Sequence, residues 1–358
     1  MPMTVLSIAF PFAPVGTNAV GGAEQVLSYL DYALVAAGHT SLVAACEGSQ
    51  PAGELFSVRL PSHDVLSESD RSRCRSQFQA AIDRAIASRP IDLIHMHGLD
   101  FGEYKLPPQI PVLVTLHLPI AWYGKEVWHK PAVNLHFCCV SEAQRQSFNT
   151  DLRSVTVVEN GVQIPPSSCK TPKKNFALTI GRICPEKNAH AALEAGTLAG
   201  TQVLIGGQVF PYREHRQYFE EKIQPLLWRS PVAVGHKFLG PLAAHQKQDL
   251  LPRAKCLLHP TLAPETSSLV AMEAMAAGTP VIAYRSGALR EIVDDGITGF
   301  LVENVKEMAE AIRQVHTISP ENCRAAAKAR FSKDRMVGQY FALYESLQPP
   351  QQPVALHA

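Results

Sequence analysis

The chain is predicted to be an α/β protein of two doubly wound, Rossmann-like domains, on three observations. Short apolar runs of strand length alternate with helical patterns in both halves, as parallel sheets with crossover helices require. The alternation restarts after a Pro-, Ser- and Lys-rich segment, Ile164–Lys174, which reads as the linker. A length of 358 residues with 46% hydrophobic content exceeds a single core and suits two domains of about 150 to 180 residues each.

In the first half, residues 1–164, strands are expected at Val5–Phe10, Thr40–Ala45, Leu93–His97, Val112–His117, Phe137–Val140 and Val155–Val158. The run Val5–Phe10 has no basic flank and is too short to span a bilayer, so it reads as a buried first strand. Ala23–Ala37 carries apolar residues at helical spacing and stops at Gly38, a glycine stop. In the second half, residues 175–334, strands are expected at Phe176–Ile180, Thr201–Ile205, Val232–Gly235, Cys256–His259, Val281–Tyr284 and Gly299–Val302. Pro349-Pro350-Gln351-Gln352-Pro353 reads as a disordered tail.

Composition excludes some classes of function. A net charge of +1 gives no electrostatic reason to expect nucleic acid as a partner. Eight cysteines form no Cys-x-x-Cys pair, and several lie in strand-like runs such as Phe137-Cys138-Cys139-Val140. They read as reduced thiols, and the protein as cytoplasmic. Arg71, Arg73, Arg75, Arg84 and Arg89 form a basic run on an expected helix that could touch anionic lipid headgroups. The apolar residues between them are few, so a solvated face is the favoured reading.

The segment Pro264–Ala283 carries the chemistry. Ser267 and Ser268 are good N-cap residues for a helix through Leu269, Met272, Ala276 and Ala277 to Gly278. The free N–H groups at its start form an anion site. Glu265 just before the helix and Glu273 about two turns inside it would flank the bound anion. That geometry suits a nucleoside diphosphate sugar, with N–H groups for the diphosphate and the two carboxylates for sugar and ribose hydroxyls.

Two other segments fit this chemistry. Thr179-Ile180-Gly181-Arg182-Ile183-Cys184-Pro185-Glu186-Lys187-Asn188 is a strand, a turn at Gly181 and two cations. Cations fixed near a departing diphosphate stabilise the transition state more than the ground state; Arg182 offers a planar fork and Lys187 a compact charge. Near the N-terminus, Val20-Gly21-Gly22-Ala23-Glu24 opens a helix, and its glycines allow a ligand close to the backbone. It lacks the Gly-x-Gly-x-x-Gly of a dinucleotide oxidoreductase. Histidines gather in the first domain at 95, 97, 117, 129 and 136. His117 closes a strand at the carboxyl edge where ligands collect, while His95 and His97 suit either an acceptor pocket or a structural role. No carboxylate or cysteine set completes a metal site around them, so none is expected.

With the following Ala274-Met275-Ala276-Ala277-Gly278-Thr279-Pro280-Val281-Ile282-Ala283, Glu265 and Glu273 resemble the Glu-x7-Glu motif of the retaining glycosyltransferases of family 4. Gly181–Asn188 is similar to that family's Gly-Arg-x-x-x-Glu-Lys-Asn/Gly, Asn160-Gly161-Val162 to its Asn-Gly-Val/Ile turn, and Thr115-Leu116-His117 to the segment bearing its cleft histidine. One departure is the run Thr266-Ser267-Ser268 after Glu265, where the family commonly has Gly/Pro-Phe-Gly.

The resemblance implies the GT-B arrangement: two domains facing a cleft, with the helix around 335–347 returning to the first. It implies Arg182 and Lys187 at the donor diphosphate, helped by Gly181, the Ser268 cap and the N–H groups of Leu269 and Val270. Glu265 and His117 would lie at the donor sugar and Glu273 at the ribose, while Gly21 and Gly22 would approach the donor phosphate or the acceptor. The implied reaction is retaining hexosyl transfer to an acceptor hydroxyl (saccharide, lipid or small molecule) without metal or cofactor, UDP-sugar being the favoured donor. The departing phosphate would take the acceptor's proton. The alternatives are a sugar-nucleotide epimerase or phosphorylase on the same architecture, or a catalytically silent sugar-nucleotide-binding subunit.

Overall fold

A computed structural model of the chain describes residues 2–17, 19, 21–59, 68–124, 127–128, 134–148, 155–166 and 171–348. The tail Pro349–Pro353, His129, Val20 and the middle of the Ile164–Lys174 segment lie outside the described residues.

Seven strands form the first sheet: β1 Thr4–Ile8, β2 Thr40–Cys46, β3 Glu54–Val58, β4 Leu93–Met96, β5 Val112–Leu116, β6 Leu135–Cys139 and β7 Thr156–Val157. Their spatial order is β3-β2-β1-β4-β5-β6-β7. Six form the second: β8 Phe176–Ile180, β9 Gln202–Gly206, β10 Lys237–Gly240, β11 Cys256–His259, β12 Val281–Tyr284 and β13 Gly299–Val302, in the order β10-β9-β8-β11-β12-β13. Neighbouring strands pair in parallel throughout. Both sheets reverse their winding at one point, between β1 and β4 and between β8 and β11. In open α/β sheets that switch point opens a crevice at the carboxyl ends of the strands.

Two expectations are corrected. Val232–Gly235 is a turn, because the N–H groups of Val234 and Gly235 both bond to the Pro231 carbonyl at 2.8 and 2.9 Å. Gly235 takes a left-handed φ of +57°, so the strand starts only at Lys237. The edge strand β3 was not expected; its residues are only half-buried, so its alternation is weak.

Helices cover both faces of each sheet. Glu68–Ser88 buries Cys74, Phe78, Ala81, Ile82 and Ala85 against Leu6, Leu42, Ile94 and Val114. Its exposed arginines are partly neutralised, Arg75 pairing with Glu68 at 3.0 Å. On the other face lies the helix Lys333–Ser346, whose Met336, Tyr340 and Tyr344 are buried among Val5, Leu93, Leu113 and Cys138 of the first sheet. The chain from the second sheet thus returns to the first. Asn160-Gly161-Val162, expected as a turn, instead runs beside the returning segment, Val162 bridging in parallel to Ser332; a Cβ on Gly161 would lie 2.6 Å from the Ser332 carbonyl oxygen, so the glycine leaves room for that crossing.

Burying two tyrosines in one core requires partners for their hydroxyls. His95 Nδ1 bonds to Tyr344 Oη at 2.8 Å, His95 Nε2 to Thr115 Oγ1 at 2.8 Å, and Thr115 Oγ1 to Tyr340 Oη at 3.1 Å. His95 is fully buried. It is a core histidine that ties the C-terminal helix to the first sheet. Among the described residues, no helix is long and apolar enough to cross a membrane.

Candidate active site

Glu265 and Lys187 meet at the switch point of the second sheet. The residue after β8 is Gly181, and Pro185–Lys187 forms a single helical turn. Asn188 ends that turn in the left-handed region, φ 54°, a conformation Asn tolerates better than most residues. The turn is tied to the loop after β11, whose Leu262 N–H and Thr261 hydroxyl donate to the Glu186 carbonyl at 2.8 and 3.1 Å. Lys187 Nζ therefore reaches the Glu265 carboxylate, with which it forms a partly buried ion pair.

His259, the last residue of β11, places Nε2 3.4 Å from Glu265 Oε1 and 3.4 Å from Ser268 Oγ. Burial alone would raise the Glu265 pKa; Lys187 and His259 outweigh it and hold the carboxyl at about 2. The backbone of Glu265 is fixed as well. Its carbonyl accepts the Ala288 N–H at 2.8 Å. Gly287, at φ +52°, leaves so little room that a Cβ there would stand 2.2 Å from that same oxygen.

The helix Leu269–Ala276 starts four residues after Glu265. Ser268 is its N-cap, its Oγ accepting from the Ala271 N–H at 3.4 Å. Ser267 lies outside the helix with a buried, unpartnered hydroxyl. Because the cap is Ser268, Glu273 stands one turn inside the helix where two were expected. Its carboxylate is gripped by Lys247 Nζ at 2.8 and 2.9 Å and by Gln25 Nε2 at 3.1 Å. Gln25 belongs to the first domain, in the helix Gly22–Ala36 that follows Gly21. Leu269 and Val270 occupy the first turn, with Leu269 packed against the first-domain core.

The first domain touches the helix start of the second at Gly22 and at His117. A Cβ on Gly22 would lie 3.3 Å from Leu269 Cδ1, so this glycine lets the two helix starts approach. At Gly21 a Cβ would collide with the Glu24 carboxylate at 1.9 Å; Glu24 folds back over its own helix start, and burial raises its pKa. Thr266, in the departure from the usual loop sequence, donates its hydroxyl to the His117 carbonyl at 2.8 Å. His117 Nε2 lies 3.0 Å from His97 Nδ1, with the rings stacked at 5.3 Å. Burial lowers the His117 pKa to about 3, so the ring is neutral at physiological pH.

Arg182 stands apart from this packed group. Its side chain is 41% exposed and its ion-pair partner is Glu186, at 3.8 Å. It is the member of the set most open to an incoming anion. Gly181 donates to the Gly206 carbonyl at 3.0 Å, which fixes the start of the turn, and its carbonyl is covered by Gly207.

Four residues escaped the sequence reading. His259 had a signal, since it closes an expected strand on the ligand-binding edge. Lys247, Gln25 and Gly287 had none, because each acts on a partner far along the chain.

Two family models match consecutive parts of the chain: "Glycosyltransferase Family 4" at residues 20–164 and "Glycosyl transferases group 1" at 163–330. A glycogen synthase of Mycobacterium tuberculosis is 25% identical over 409 aligned positions, covering 94% of this chain and 91% of that protein. Among solved structures, the sucrose-phosphate synthase of Thermosynechococcus elongatus superposes with a TM-score of 0.74 at 20% identity, over 96% of this chain and 99% of the other. HepE of Anabaena in complex with UDP-glucose gives 0.71 at 21%, over 96% of this chain and 100% of the other. Those two likenesses fix the fold as the two-domain GT-B arrangement. With both halves matched by family models and the whole chain in one fold, the protein belongs to the GT4-type glycosyltransferases.

Proposed function

We propose that this glycosyltransferase moves a hexosyl group from a nucleoside diphosphate sugar to an acceptor hydroxyl, with retention at the anomeric carbon. The observation that carries the reading is the partly buried Lys187–Glu265 ion pair beside the capped start of Leu269–Ala276. It joins a cation, an ionised carboxylate and free backbone N–H groups at one point. The diphosphate would lie on Arg182, Lys187 and the N–H groups of Leu269 and Val270, aided by the turn at Gly181. Lys187 then exchanges part of its bond with Glu265 for phosphate oxygens.

Glu265, kept ionised, accepts from donor-sugar hydroxyls. Glu273, already oriented by Lys247 and Gln25, takes the ribose hydroxyls. Neutral His117 contributes a ring nitrogen at the sugar, and Gly21 and Gly22 let the first domain close on the donor. Charge building on the leaving diphosphate is met by side-chain cations and backbone dipoles, which stabilise it without a metal ion or cofactor. That phosphate is also the proposed acceptor of the proton released as the new bond forms on the same face of the sugar.

UDP is the proposed nucleotide, supported by the fold shared with HepE, whose solved complex contains UDP-glucose. A reducing, cytoplasmic setting is proposed from the seven unpaired, buried cysteines among the described residues. No nucleic acid is proposed as a partner.

The test is a transfer and donor-hydrolysis assay with UDP-, GDP-, ADP- and TDP-glucose in EDTA. UDP formation dependent on Glu265 and Lys187 supports the reading. Epimerised donor without released nucleotide would replace it with the epimerase alternative.

A further inference from the structure

The donor-phosphate turn carries a second set of ligands on its other side. Cys184, Glu186 and His215 each offer one donor atom, the three atoms lying within 4.8 Å of one another. Cys184 and Glu186 come from the turn that bears Lys187. His215 comes from the facing helix Arg213–Tyr218. The sequence reading, which expected no metal, could not pair residues thirty-one positions apart.

The site is poorly satisfied by the protein alone. His215 is 8% exposed, and its Nδ1 is buried with no hydrogen-bond partner. The Cys184 thiol, fully buried, has a carbonyl contact at a long 3.6 Å, to Arg182, and otherwise bonds within the cluster, to the Glu186 carboxylate. An orphaned buried imidazole nitrogen carries an uncompensated desolvation cost, and such a group points to a missing partner.

We propose that Cys184, Glu186 and His215 bind one zinc ion, which fixes the turn carrying the donor-phosphate cations. Thiolate, imidazole and carboxylate together select zinc over magnesium or calcium, which prefer all-oxygen sites. Three protein ligands leave the fourth position to water. Tetrahedral zinc with bonds of about 2.0–2.3 Å holds its donors roughly 3.3–3.8 Å apart, a small side-chain adjustment from the spacing present. Charge is consistent too: a thiolate and a carboxylate offset the ion, although Arg182 lies 3.8 Å from Glu186. Binding replaces the thiol proton with the metal and releases that proton to solvent. The ion sits beside the donor site and takes no part in transfer, so its test is independent of turnover.

Purified full-length protein, stripped with EDTA and dialysed, is titrated with zinc chloride by calorimetry and with cobalt chloride by absorption. One zinc per chain and a thiolate-to-cobalt charge-transfer band are expected. Cys184→Ser should abolish that band. His215→Ala should weaken zinc at least about tenfold, since even outer-shell changes cost that much. Circular dichroism confirms that the variants are folded; if Cys184→Ser does not fold, His215→Ala and Glu186→Gln carry the test. Absence of stoichiometric binding in the wild type, or affinity unchanged in the folded variants, overturns the proposal.

Discussion

Lys187 and Glu265 form an ion pair from different loops, one following β8 and the other β11, with side chains only 24% and 11% exposed. Two adjacent central strands thus deliver opposite charges to one crevice. The pair is stored electrostatic order that a phosphate can exploit.

Its pH dependence has a definite sign. The folded carboxyl of Glu265 is held at about 2 against an ordinary 4.5, so its stabilisation is complete above 4.5 and is lost as pH falls from 4.5 towards 2. The full effect is roughly 3 kcal/mol. Urea unfolding of the wild type should therefore lose stability over this interval faster than Glu265→Gln. Parallel curves would show that Glu265 is not held by Lys187.

Buried His95 and His97 and half-buried His117 add a second acid-sensitive element. Burial lowers the pKa of His95 and His97 well below 6.5 and that of His117 to about 3. The unfolded chain binds their protons first, so stability is present above pH 6.5 and falls below it, by up to about 1.4 kcal/mol per pH unit for each. The kcat/KM profile should show no inflection near 6.5 from His117. Replacing His97 with Gln should flatten the stability loss between pH 6.5 and 5, and an unchanged slope would contradict the neutral assignment.

Glu273→Ala tests the nucleotide end. Hydrogen bonds to a charged group are worth about 1.5–3 kcal/mol, so UDP affinity should fall by roughly 10- to 150-fold in calorimetry. Retention of full UDP affinity removes Glu273 from the ribose site.

Gly287 and Gly200 form a matched pair. Both adopt positive φ, +52° and +64°, so alanine at either should cost roughly 1–3 kcal/mol of stability. A Cβ at 287 meets the Glu265 backbone, whereas at 200 it meets nothing within 4 Å. Only Gly287→Ala should lower kcat at saturating donor. Equal kcat in both variants would mean that the Glu265 backbone position is not critical.

Much of this was legible in the sequence where the signal is local. Strands such as Phe176–Ile180 and Cys256–His259 coincide with their expected spans because apolar runs end at Gly, Pro or charge. The Ser268 cap was visible because capping chemistry acts over three residues. Val232–Gly235 misled because Pro231 and Gly235 impose a turn on apolar residues, and Val232 is left fully exposed. Lys247 and Gln25 were invisible as partners of Glu273, since tertiary folding alone brings together residues such as 25 and 273. His95 was ambiguous for the same reason: its partners, Thr115 and Tyr344, are distant in the chain.

The most direct measurement of the central claim is NMR of UDP-glucose hydrolysis in EDTA, following the anomeric proton of the first glucose released. The account predicts α-glucose as the initial product at a rate unaffected by EDTA. Either alanine substitution, at Arg182 or at Lys187, should cut that rate about a hundredfold or more, as loss of one preorganised donor does elsewhere. Initial β-glucose, or a rate that vanishes in EDTA and returns with a divalent ion, would contradict it.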